Sequence, residues 1–192
     1  MALTDGLSPL SESVEALPVL PPAEPLTLAR LQREVPYNAR ELAFGFRTVV
    51  PVLGREVRMQ YAPDEGESWS LYGVEALQSV LDVPASDRTH LQDLLLESYR
   101  FHASVTDYGV DGDPDDPFEI SDGAEAERRA GEPWVIVVDP FEPEGHRPRI
   151  AMVGYYPVWE EEHGVYVVVR DRQLVGLASD PYDRSAFDGR AK

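Results

Sequence analysis

Two acidic runs carry the residue types that could do chemistry. The first is Trp159-Glu160-Glu161-Glu162-His163-Gly164-Val165. An imidazole beside carboxylates can ligate a metal or act as a general base. Here no second histidine stands at helical spacing, and the run leads into an alternating apolar stretch. It therefore sits where a strand begins. His163 shares parity with Val165, Val167 and Val169, which predicts a side chain on the core side of the sheet end. A histidine so placed most often makes a structural hydrogen bond to backbone or to a nearby carboxylate. That reading is preferred to catalysis. Gly164 is expected to let the backbone turn or approach another strand closely.

The second run is Asp111-Gly112-Asp113-Pro114-Asp115-Asp116, inside an acid-rich stretch that continues through Glu119. Carboxylates at alternate positions are how a calcium loop is built. That loop needs glycine at its sixth position and a bidentate glutamate at its twelfth, where this chain has Asp116 and Asp122. Pro114 stiffens the middle. Calcium at Asp111, Asp113 and Asp115 is thus poorly supported, no cofactor is expected, and a solvated acidic loop is the preferred reading. His90 and His102 lie on one predicted helix but about a third of a turn out of phase, so they are no ligand pair. His146 stands apart. Neither a G-x-S-x-G elbow nor a phosphate-binding glycine loop occurs.

Global composition narrows the classes of partner. The chain has 192 residues, 43% of them hydrophobic, enough for one domain with a proper core. Its formal net charge of -18 repels nucleic-acid phosphates and anionic membranes and favours basic proteins or cations. Cysteine is absent, so disulfides and thiolate metal sites are excluded. No secretory signal or membrane-length apolar run is visible, and cytoplasm is the expected compartment.

The elements that must position these residues follow from periodicity. Residues 1–25 read as a proline-rich arm. A single domain is expected over 26–180 and a loose tail over 181–192. Leu26 to Glu34 predicts a short helix ended by Val35-Pro36. Leu42, Phe44 and Phe46 alternate with polar or small residues, as do Val57, Met59 and Tyr61, and each set predicts the buried face of a strand. Val74 to Leu81 reads as a helix. Ser86 or Asp87 caps a longer one whose stripe is Leu91, Leu94, Leu95, Tyr99 and His102. Residues 107–132 read as a loop. Strands are expected at Trp134–Val138 and Arg149–Tyr156, then a hairpin of His163–Arg170 and Gln173–Ala178. Helices segregated from a run of strands predict α+β: a mainly antiparallel sheet packed against two or three helices. Trp134, Tyr155, Tyr156, Trp159 and Tyr166 concentrate in the β-rich part. Core packing accounts for most, and some suit interface anchors.

The Trp159–Val165 segment, with the strand, polar turn and strand that follow it to Gly176, resembles an uncharacterised bacterial domain family. Its members carry a W-[DE]-x-E-H-G-hydrophobic signature near the C-terminus. The upstream order around Val52-Leu53-Gly54-Arg55-Glu56-Val57 and the helix with Leu94, Leu95 and Tyr99 is also similar. The likeness covers the layout of residues 40–178, and its specific part is the Trp159 region. The arm and the acidic loop depart from the pattern. Similar domains are encoded beside polymorphic toxins and are suspected immunity proteins. The resemblance implies no catalytic residue, and it makes Trp159, Glu162, His163 and Gly164 fold determinants.

The expected function is non-enzymatic: an acidic module that binds a basic protein, an immunity protein covering a toxin's active face. Asp111, Asp113, Asp115, Asp116 and Glu119 are the expected contacts, because charge raises the rate of encounter with a basic surface. The alternative is a metal-dependent enzyme or divalent-cation site using His163, Glu160 and Glu162 with loop carboxylates.

Overall fold

Period-two alternation and a set of well-capped helices produce one sheet with helices on one side. The computed structural model describes residues 17–22, 24–63, 66–105, 119–138, 148–160 and 162–182. Seven strands follow chain order across the sheet: β1 (Tyr37–Asn38), β2 (Ala43–Val50), β3 (Arg55–Ala62), β4 (Trp134–Val138), β5 (Ile150–Tyr155), β6 (Val165–Arg170) and β7 (Gln173–Ala178). All neighbours pair antiparallel except β3 and β4, which are parallel. The expected α+β class and mainly antiparallel sheet are what the chain forms. The parallel pair arises because the connection between those two strands, with three helices among its described residues, returns the chain to the same end.

The helices start where side chains can satisfy free backbone N–H groups. In α1 (Leu28–Glu34) Thr27 accepts from the N–H of Arg30, and in α2 (Leu71–Leu81) Ser70 accepts from that of Gly73. A 3-10 turn at Ala85–Asp87 leads into α3 (Arg88–Val105). The expected stripe of α3 is buried at Leu91, Leu94 and Leu95. Tyr99 and His102 are only partly buried.

A fourth helix, α4 (Gly123–Arg129), corrects the loop expected over 107–132. Asp122 caps it by accepting from the N–H of Glu125, and Glu125 in turn pairs with Arg128 and Arg129 one turn on. A second correction concerns Leu42, expected on the buried face of β2. It sits at a positive φ of 51° just before the strand and is 67% exposed.

The main core lies between the helices and the sheet face bearing Phe46, Met59, Tyr61, Val135, Val153 and Val167. The opposite face is divided. Over β2 and β3 it is polar, with Arg47 paired to Glu56 and Arg58 to Glu41. Over β4 to β7 it carries a second apolar cluster of Ile150, Met152, Tyr166, Val168 and Ala178, with Trp134, Ile136 and Val175 against it.

Residues 17–22 dock on the domain itself. The N–H of Leu20 donates to the Arg47 carbonyl and that of Arg47 to the Pro18 carbonyl, both at 2.8 Å. They extend the sheet beside β2 beyond the short β1. At the other end, Asp171 and Arg172 both take positive φ, as a two-residue β6–β7 hairpin turn requires. The N–H of Arg149 donates to the Asp171 carboxylate, and Arg172 pairs with Asp82, so the turn is held from two sides.

Candidate functional site

Glu160 is the organising residue of the run that the sequence singles out. Just before it, Pro157 to Glu160 forms a turn closed by the Glu160 N–H on the Pro157 carbonyl. Trp159 inserts from this turn into the core, 2% exposed. Its indole N–H donates to Ser98 Oγ at 3.3 Å, and its ring meets the edge of Tyr99 at 5.8 Å. Trp159 thereby fixes the turn against α3 and sets the Glu160 carboxylate beside the last turn of that helix.

Two histidines flank that carboxylate. His102 Nε2 lies 2.9 Å from Glu160 Oε2, while its Nδ1 lies 2.8 Å from the Ser98 carbonyl oxygen. Carbonyl and carboxylate oxygens only accept, so both contacts are complete when both ring nitrogens carry hydrogen. His163 approaches the other oxygen, its N–H donating at 3.0 Å and its Nδ1 at 3.3 Å. Burial pushes the Glu160 carboxyl up, but hydrogen bonds from His163 and the adjacent His102 outweigh this and hold it below its usual value.

A sign follows for acid stability. A carboxyl whose folded pKa is depressed stabilises the fold above its unfolded value of about 4.5, and that contribution is lost as pH falls through the lower folded value. Glu160→Gln is expected to melt below the parent at neutral pH, with the gap narrowing as the pH is lowered under 4.5. A gap that stays constant from neutral to acid pH in thermal melts would show that the charge of Glu160 contributes nothing.

The structure corrects the placement of His163. Parity predicts a core-facing ring, yet its side chain is 69% exposed. Gly164 is the cause. It takes a φ of +77°, which breaks the extended run and cancels the alternation between 163 and 165. A Cβ there would stand 2.8 Å from the Tyr155 carbonyl oxygen, so the close approach expected at this glycine is present. Glu162 is exposed, and its backbone N–H faces the Glu160 carboxylate. Of the expected partner contacts, Asp111, Asp113, Asp115 and Asp116 lie outside the described residues. Glu119 is exposed, immediately before the buried Ile120. His90 is exposed on α3, and His146 lies outside the described residues. Among the described residues no group of three or more histidines and carboxylates is arranged to hold a metal ion. No helix among them is long and apolar enough to cross a membrane.

A further polar cluster is invisible to spacing rules. Glu127 reads in sequence as one more loop acid, but α4 carries it inward until the residue is 8% exposed. Arg88 of α3 grips it with two nitrogens, at 3.1 and 3.0 Å, and Gln92 donates to it at 2.8 Å. This clamp joins α4 to α3. Beneath it lies Tyr155, fully buried, its phenol pushed above the usual range by burial and by the Glu127 charge. Its hydroxyl has no hydrogen-bond partner among the described residues. Only the i to i+4 spacing of Arg88 and Gln92 hinted at a shared face.

Comparison with curated proteins gives no match, and comparison with solved structures gives none. The model of a family described as a domain of unknown function, DUF6985, matches residues 33–182. That span runs from the end of α1 through all seven strands to the turn after β7. It contains the Trp159 turn, the two histidines around Glu160 and the Arg88–Glu127 clamp. With this much of its length matched, the chain belongs to the DUF6985 family of domains of unknown function.

Proposed function

We propose that the protein is a non-enzymatic binding module for a basic protein, of the immunity type that neutralises a toxin by covering its active face. The observation that carries this reading is the charge balance and how it is distributed. Acids number 35 against 17 lysines and arginines. Arg30, Arg47, Arg58, Arg88, Arg129 and Arg149 are already engaged by glutamates of the same chain. Positive charge is thus largely consumed within the fold, and the excess negative charge is left to act on partners. A basic toxin that must hold phosphates would meet this field as an attractive one, which speeds association more than it tightens it. The likeness of Trp159-Glu160-Glu161-Glu162-His163-Gly164 to the signature of suspected immunity proteins from bacteria supports the same reading. Asp111, Asp113, Asp115, Asp116 and Glu119 are its proposed contacts.

A tagged pull-down from native host lysate, eluted with rising salt, is expected to release one stoichiometric basic protein. Charge reversal of the five acids should then weaken its binding by about tenfold or more, or roughly 1.4 kcal/mol, and flatten the salt dependence. Unchanged affinity for that protein would sink the reading. The second reading is a divalent-cation site or metal-dependent enzyme using His163, Glu160 and Glu162 with loop carboxylates. Two imidazoles flank the Glu160 carboxylate, and the loop would have to complete the ligand set, since the described residues alone hold no such group. Melting with calcium, magnesium, manganese and zinc separates the two, because a metal that binds only the folded state raises the midpoint.

A further inference from the structure

An aromatic row crosses the end of the second sheet face. Trp134 of β4, Gly154 of β5, Tyr166 of β6 and Ala178 of β7 stand in register. Gly154 is what lets the row close. A Cβ there would lie 2.6 Å from the Trp134 indole, so the ring lies across the glycine and reaches the edge of Tyr166 at 6.0 Å. Tyr156 stacks on the same indole at 4.7 Å. The Tyr166 phenol beside it has its pKa raised to about 12 by burial and by the nearness of Tyr156, Asp180 and Tyr182.

The inner members of the row are packed and the outer ones are not. Tyr166 is 6% exposed, whereas Tyr156 and Tyr182 are 59% and 60% exposed. Tyr156 packs against Gly164, two residues from the exposed Glu162, and Asp180 is exposed beside Tyr182. The arginine in register with Trp134, Arg58, is already paired with Glu41. The surface therefore offers open aromatic rings bordered by carboxylates. Aromatic rings attract cations through their faces, and tyrosine and tryptophan are frequent interface anchors.

We propose that Tyr156 and Tyr182, with Trp134 stacked on Tyr156, form the docking surface for a basic segment of the partner, whose arginine or lysine side chains lie on the two exposed rings while Glu162 and Asp180 meet their charge. This rests on the basic-partner reading above and adds to it a surface separate from the 111–119 acids. Guanidinium groups suit it better than ammonium groups, because they are planar, stack on rings and are weakly hydrated.

The test uses the full chain and a hexa-arginine peptide, followed at low salt through the indole N–H signals of the three tryptophans. The Trp134 signal is expected to shift on titration, while those of the buried Trp69 and Trp159 stay in place. Tyr156→Ala and Tyr182→Ala should each weaken the peptide about fivefold or more, and hexa-lysine should bind less tightly than hexa-arginine. Both tyrosines are open to solvent, and a melting curve on each variant confirms the fold. If the peptide fails to bind at all, the basic-partner reading falls and this surface falls with it. If it binds with Trp134 unmoved and loses affinity only on reversal of the 111–119 acids, the surface is overturned while that reading stands. A Trp134 shift that depends on protein concentration without peptide would identify a second copy as the occupant and would also overturn it.

Discussion

Trp159→Ala is expected to cost about 3–5 kcal/mol of folding stability, the range for a buried large aromatic truncated to alanine. Three losses combine at this position. The indole is almost wholly buried, so its removal opens a cavity bounded by α3. Its N–H contact to Ser98 disappears and leaves that buried hydroxyl short of a partner. The turn at 157–160 also loses its anchor, which releases Glu160 from His102. Urea unfolding should show a lower midpoint, and the His102 ring signals should move towards those of a free histidine. Trp159→Phe keeps most of the volume and should recover much of the stability but not the Ser98 contact. An unfolding free energy within about 1 kcal/mol of the parent for the alanine variant would mean that the Trp159 turn does not organise this region.

Gly164→Ala is expected to be strongly destabilising, and it has an internal control. Gly66 has the same positive φ of 77°, but a Cβ there would meet nothing within 4 Å. At Gly66 alanine therefore costs only the left-handed backbone penalty, about 1–2 kcal/mol. At Gly164 the same penalty is joined by a clash with the Tyr155 carbonyl, which is backbone and cannot rotate away. Overpacking of that kind adds roughly 1–3 kcal/mol. The difference between the two variants in chemical denaturation isolates the close approach. Equal losses at both positions would show that β5 yields to make room.

Much of the sheet was legible because its strands bury one face to the main core. Val57, Met59 and Tyr61 alternate and form β3, and the two runs around Asp171-Arg172 form the β6–β7 hairpin. The long helix was legible for the same reason at its own period, and Thr27 and Ser70 mark helix starts by capping chemistry. What escaped depends on partners far away in sequence. The short α4 has little intrinsic tendency to persist, and it is held by Glu127 reaching Arg88 across the fold. Parity placed His163 wrongly because one glycine at positive φ cancels it. His102 and Glu160 meet only through tertiary packing, so no motif could pair them. The second apolar face was hidden for another reason. Strands buried on both sides, such as β5 and β6, read as continuous apolar runs and lose the alternation that assigns a face.

The parallel pairing of β3 with β4 has a consequence for how the chain finds its structure. β2 with β3 and β5 with β6 and β7 are local antiparallel ribbons that need only short closures. Between them stands β3 on β4, a pairing that closes the long stretch of chain from Ala62 to Trp134. The ordering entropy of that long closure falls at a single step, and closure cost grows only slowly with loop length. The search time of this fold is thus concentrated in one strand meeting another, with the two ribbons ready on either side. Lengthening the crossover would lower the folding rate only gently, whereas weakening the β3–β4 ladder would leave the two halves of the sheet joined through the helices and the core they share.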